Sequence, residues 1–177
     1  MKLTATLAAL CLTLCINAGH AANLPPHIQQ ELPDAQLSGQ GAFRWFGLKI
    51  YDASLWVSSS GYQPASAKFI LNLNYARELY GERIALASID EIRQLGLGTT
   101  TQQETWLRQM KGIFPDVKEG SQISGVNLPN QGARFYLDGK LLGEINDAEF
   151  ARAFFAIWLD PRTSASGLRK QLLANQP

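Results

Sequence analysis

The chain has 177 residues with 16 Lys and Arg against 15 Asp and Glu, a formal charge of +1, and 46% hydrophobic residues. A balance this even, with no block of like charge, argues against nucleic acid and against general attraction to anionic membrane surfaces. It fits a folded domain with enough apolar residues for one core.

The first residues read as a leader. Lys2 supplies a positive start, residues 3–16 are apolar with Thr as the polar type, and Gly19-His20-Ala21 places small residues where a signal peptidase cuts. The apolar run falls short of the roughly 20 residues that span a bilayer. Leu10 precedes Cys11 and Leu14 precedes Cys15, so neither site has the small residue a lipoprotein signal wants. Residues 1–21 are thus expected to be a secretory signal peptide, residues 22–177 a single domain, and the compartment the bacterial periplasm. Both cysteines fall in the leader, which leaves the mature domain without a disulfide or a thiol.

Pro25-Pro26 to Leu32 predicts a short helix stopped by Pro33. Gly39 to Val57 then reads as two strands with a bend at Gly47, the glycines at 39 and 41 loosening the start of the first. Leu48 to Val57 is apolar at seven of ten positions, with Lys49 and Tyr51 set into it and Arg44 just before the bend. A guanidinium on so apolar a strand must find a partner or reach water, which makes this hairpin the candidate ligand-contacting stretch. Lys68 to Tyr75 alternates, with Phe69, Leu71, Leu73 and Tyr75 on one face.

Two helices follow. The first, about 82–95, carries Ala85, Ser88, Ile89, Ile92 and Leu95 at helical spacing and ends at Gly96. The second follows Gly98; Thr101-Gln-Gln-Glu104 has a capping-box pattern, and Trp106, Leu107, Met110 and Ile113 form its stripe. Strands return at 122–127, 133–137 and 140–145, the last two joined by Asp138-Gly139, a type I′ turn signal. Asn146 or Asp147 caps a helix with Phe150, Phe154, Ile157 and Trp158 on one face, and Thr163 or Ser164 is placed to cap a last helix with Leu168 and Leu172. The order βββ-αα-βββ-αα predicts an α+β fold, an antiparallel sheet covered on one face by paired helices, with room for an apolar pocket between the layers. Trp45, Trp56 and Trp106 are assigned to the core.

The mature domain holds one histidine, His27, which excludes a Ser-His-Asp or Cys-His centre and a His-rich metal site of the usual kinds. Gly39-Gln-Gly41 is no dinucleotide loop, since the next glycine of that fingerprint would stand at Arg44. Asp90-Glu91 and Asp147 with Glu149 read as solvated or helix-capping carboxylates. Arg, Tyr and Trp remain as the residues able to build a site.

These stretches together resemble the chalcone isomerase-like proteins, and within them a bacterial exported branch. The resemblance rests on Gly39-Gln-Gly-Ala-Phe-Arg44, Lys49-Ile-Tyr-Asp-Ala-Ser-Leu-Trp56, Tyr80 with Ile89-Asp-Glu-Ile-Arg-Gln-Leu-Gly96, Phe114-Pro-Asp-Val-Lys-Glu-Gly120, Phe135-Tyr-Leu-Asp-Gly139 and Phe154-Phe-Ala-Ile-Trp-Leu-Asp-Pro-Arg-Thr-Ser164. It implies an open β-sandwich, a large antiparallel sheet with helices on one side, and no cofactor. The family includes plant enzymes that cyclise chalcones, non-catalytic relatives and plastid proteins that bind fatty acids. The enzymes' arginine is similar in place to Arg44, their tyrosine to Tyr80, and their strand threonine to Tyr51. Where they carry two further polar residues this chain has Ala87 and Ala156.

The reading that results is a non-catalytic periplasmic protein that binds an apolar or carboxylate-bearing ligand, such as a fatty acid, through Arg44, Tyr51 and Tyr80. Two alternatives stand beside it: an isomerase or lyase acting on a small aromatic or enone substrate through Arg44, and an envelope interaction module whose core is filled. Arg44 as a structural ion pair and each Tyr as a core aromatic remain open. The leader makes a direct prediction: intact-mass measurement of the exported protein should find a chain beginning at or within a residue or two of Ala22, and retention of Met1 there would overturn it.

Overall fold

The structure, a computed structural model, describes residues 24–175. The leader assigned to residues 1–21 lies outside them. The elements run α1 (Pro26–Glu31), β1 (Gln36–Trp45), β2 (Leu48–Val57), β3 (Phe69–Tyr75), α2 (Gly81–Gln94), α3 (Thr100–Ile113), β4 (Gln122–Leu128), β5 (Gly132–Leu137), β6 (Lys140–Ile145), α4 (Ala148–Leu159) and α5 (Ser166–Leu172). The strands form one sheet in chain order, each pair antiparallel, so α2 and α3 are an excursion between the neighbouring strands β3 and β4. This is the expected α+β class.

Strand alternation builds the core. Ala53, Leu73, Ile123 and Leu137 lie across from one another on β2 to β5, and Leu55, Leu71, Gly125 and Phe135 form the next rung. The core helices α2 to α5 cover this face. Phe135 and Phe150 are fully buried and their rings stand 6.3 Å apart; burying a side chain of that size contributes roughly 1.5–3 kcal/mol. At Gly125 the packing is close: a Cβ would stand 3.2 Å from the Phe155 ring, which would have to shift by a few tenths of an ångström.

Several local expectations shift. The capping box of α3 is formed two residues early: Thr99 Oγ1 accepts from the Gln102 amide at 3.3 Å and Gln102 Oε1 accepts from the Thr99 amide at 2.8 Å. Gly98, at φ +75°, turns the chain so that Thr99 is the last extended residue. Thr163 does not cap α5. Its hydroxyl donates to the Ile157 carbonyl and accepts from the Ala165 amide, which ties α4 to the following turn. Gly39 and Gly41 do more than loosen β1: a Cβ on Gly39 would lie 2.0 Å from the Gln171 carbonyl oxygen, so the end of α5 sits directly on the strand.

Helices are not confined to one face. α1 packs on the opposite face, where Ile28 and Leu32 meet Ile70, Val126 and Leu128. Trp56 packs there, half-buried, while Trp106 enters the main core and donates its indole N–H to Asp147 at 2.8 Å. Trp45 departs from the core assignment altogether, 60% exposed at the end of β1.

Glu31 anchors α1. One of its oxygens accepts from Arg134 and from the Tyr136 hydroxyl, both at 2.5 Å, and the other from Lys68 at 3.0 Å. Burial opposes ionisation of this carboxyl, but the bonds from Tyr136, Arg134 and Lys68 outweigh it and hold the pKa at about 2. A folded pKa below the ordinary value stabilises the fold above the unfolded pKa, and that stabilisation fades as pH falls from the ordinary carboxylate range towards 2. Glu31→Gln should therefore cost on the order of 2–3 kcal/mol at neutral pH. Thermal melts across the acid range should show wild type losing its advantage over the variant between those limits; a constant difference down to the lowest pH would refute the assignment.

Candidate functional site

A cavity of about 510 Å³ lies between the sheet and the helices. Its inner wall is apolar: Leu73 and Ile123 from the sheet, Ile84 from α2, Phe114 after α3, and Phe154 and Ile157 from α4. Its mouth holds exposed residues, among them Trp45, Arg83, Ala87, Asp90 and Gln94.

Two phenols are the polar groups of the sheet wall. Tyr51 and Tyr75 face each other across β2 and β3, with ring centroids 5.9 Å apart in an edge-on arrangement. The Tyr51 hydroxyl accepts the indole N–H of Trp158 at 2.9 Å, which leaves its own proton available. The Tyr75 side chain is 3% exposed, and its hydroxyl has no hydrogen-bond partner among the described residues. No fully buried side-chain polar atom is left unpaired there, so that hydroxyl reaches the space of the cavity it lines. Burial pushes the ionisation of both phenols well above its ordinary range, with the Trp158 bond a smaller opposing effect at Tyr51. At neutral pH both remain O–H donors. The bond from Trp158 polarises Tyr51 and strengthens what it can donate.

The cavity's cation is Arg83, on the first turn of α2. Ser88 lines the wall with its hydroxyl donating to the Ile84 carbonyl at 2.9 Å, and is free to accept. Glu91, also in the lining, accepts from Ser164 at 2.8 Å.

Of the three residues singled out in the sequence, Tyr51 alone is in the lining. Arg44 falls between Phe43 and Trp45, which both line the cavity, so strand alternation turns it away; it is exposed and donates to the Gly47 carbonyl at 3.3 Å. Tyr80, the residue before α2, is 62% exposed and outside the lining, although Leu79 and Arg83 on either side belong to it. Lys49 pairs with Asp52. Tyr75, Trp158 and Arg83 were not anticipated as site residues. The alternation of β3 had already put Tyr75 on the apolar face; what the sequence did not carry was the register that sets it opposite Tyr51. Ala87 lines the cavity and Ala156 does not. Among the described residues no group of three His, Cys, Asp or Glu could hold a metal ion, and no helix is long and apolar enough to cross a membrane.

Comparison with known proteins matches these features to a family. A protein of Haemophilus influenzae described as uncharacterized is 30% identical over 135 residues, covering 76% of this chain; the chain spans 66% of that protein's length, just under two thirds. The crystal structure of a fatty-acid binding protein of Arabidopsis thaliana shares the fold with a TM-score of 0.66 at 13% identity, over 80% of this chain and 88% of that one. The profile of the chalcone isomerase-like proteins matches residues 18–174. The chain belongs to the chalcone isomerase-like family.

Proposed function

We propose that this protein is a non-catalytic member of its family that binds an apolar ligand in the cavity between sheet and helices, with an acyl chain along the apolar wall and its oxygen-bearing head at Tyr51 and Tyr75. The observation that carries the reading is the pair of protonated phenols, one oriented by Trp158 and one without a protein partner, set in an otherwise apolar wall. The Tyr75 hydroxyl opens into the cavity with no protein acceptor among the described residues, so its proton is available to a ligand oxygen. The volume lies within the usual range for small-molecule sites. The fatty-acid binding protein that shares the fold supports the ligand class. Ala87 supports a binding role over a catalytic one, because a methyl group stands in the lining where the family's enzymes would present a polar side chain. The proposed place of action is the periplasm, which the composition of the leader supports.

Calorimetric titration with a long-chain fatty acid tests this. Each neutral hydrogen bond contributes roughly 0.5–1.5 kcal/mol net, so Tyr51→Phe and Tyr75→Phe should each weaken binding by about three- to tenfold. Arg44→Ala, outside the lining, should leave affinity within about twofold of wild type. Absence of acyl binding by wild type, or an unchanged affinity in the double Phe variant, would overturn the reading.

A further inference from the structure

The tip of the β1–β2 hairpin displays what soluble domains ordinarily hide. Trp45, Phe46 and Leu48 are 60%, 90% and 54% exposed, within four consecutive residues, and the Trp45 and Phe46 rings pack edge-on at 5.1 Å. Phe46 occupies the left-handed region at φ +47°, followed by Gly47 at +81°. A bulky residue is a poor choice there. The same chain shows the ordinary solution at its β5–β6 turn, where Asp138 and Gly139 adopt φ +49° and +81°. Two turns of matching backbone thus carry Asp in one and an almost fully exposed Phe in the other. Neither turn geometry nor core packing accounts for that Phe. A surface that receives it does.

Three observations identify the surface. The tip is a narrow convex turn, which suits insertion into a soft layer better than the broad complementary area of a stable protein interface. Arg44 stands beside it, exposed and with no ion pair among the described residues, and Trp with Arg is the pairing favoured at the boundary between lipid headgroups and acyl chains. The tip also continues into the cavity mouth, since Trp45 and Ile50 on the two strands line it. We infer that the Trp45–Leu48 tip inserts into the surface of a phospholipid bilayer and seats the cavity mouth against it, so that an apolar ligand passes between lipid and cavity without crossing water. The even net charge gives no bulk attraction to such a surface; the tip supplies its own contacts. The transfer role rests on the cavity being a ligand site, whereas the docking rests on the hairpin alone.

The test is co-sedimentation with vesicles of phosphatidylethanolamine and phosphatidylglycerol, together with quenching of tryptophan emission by brominated acyl chains, every variant keeping the wild-type N-terminus. Wild type should bind and be quenched. Phe46→Asn should reduce vesicle partitioning by roughly tenfold or more and at the same time raise the melting temperature, because Asn tolerates the turn. Arg44→Gln should weaken partitioning about fivefold. Titration of a soluble fatty acid without vesicles should give Phe46→Asn the wild-type affinity, as Phe46 is outside the lining. Vesicle binding that persists with no acyl uptake would sink the cavity reading and leave the docking standing. Failure of wild type to bind vesicles, equal partitioning of wild type and Phe46→Asn, or a dimer in solution that Phe46→Asn dissolves would overturn the docking.

Discussion

The register between β2 and β3 is the constraint on which the site depends. A strand shows a given face only at every second residue, so fixing Ala53 opposite Leu73 and Leu55 opposite Leu71 also fixes Tyr51 opposite Tyr75. The apolar residues of those rungs hold the register, because a slip by one would turn all of them away from the core helices to the opposite face of the sheet. Two phenols are thereby carried into the cavity by pairings made for packing. Trp158, from the other layer, then closes on Tyr51 and selects which way its proton can point. The polar end of the cavity is a by-product of core packing, and as rigid as the core.

The opposite face of the sheet follows different rules. There α1 covers one end with apolar contacts, and a polar chain runs beneath it: Ser124 donates to Asn72 at 2.7 Å, so His27 Nε2, 2.8 Å from the same oxygen, must be the donor to Ser124. Burial pushes the His27 pKa down despite the nearby charge of Glu31, and the ring stays neutral. These groups satisfy one another and fix the position of α1. They also account for His27, the one histidine among the described residues, without any chemistry.

Most of the fold was legible because its signals are local. The alternation of 68–75, the stripes of α2 and α3, Gly96 and Asp138-Gly139 each sit within one element, and the element order follows from them. The site was less legible because it is assembled from pairings across elements. Tyr51 was reached because it interrupts an apolar strand. Tyr75 read as one more aromatic on a core face, and nothing in the sequence singled out Arg83, until β3 and α2 were brought together at the cavity. Arg44 was favoured for its chemistry, and the alternation between Phe43 and Trp45 that turns it outward was present in the same residues. Trp45 read as core because hydrophobicity alone does not say whether a residue at the end of a strand is covered.

The close approach of α5 to β1 joins the two ends of the described chain. The Ser38 hydroxyl donates to the Leu172 carbonyl at 2.8 Å, and the Asn175 amide returns a bond to the Ser38 carbonyl at 3.1 Å. The glycine at 39 lets the backbones meet with no side chain between them. A polypeptide emerges from the ribosome in order, so its first strand waits for its last helix, and contacts of such long sequence separation form late. Until α5 is made and packs, β1 keeps an open flank.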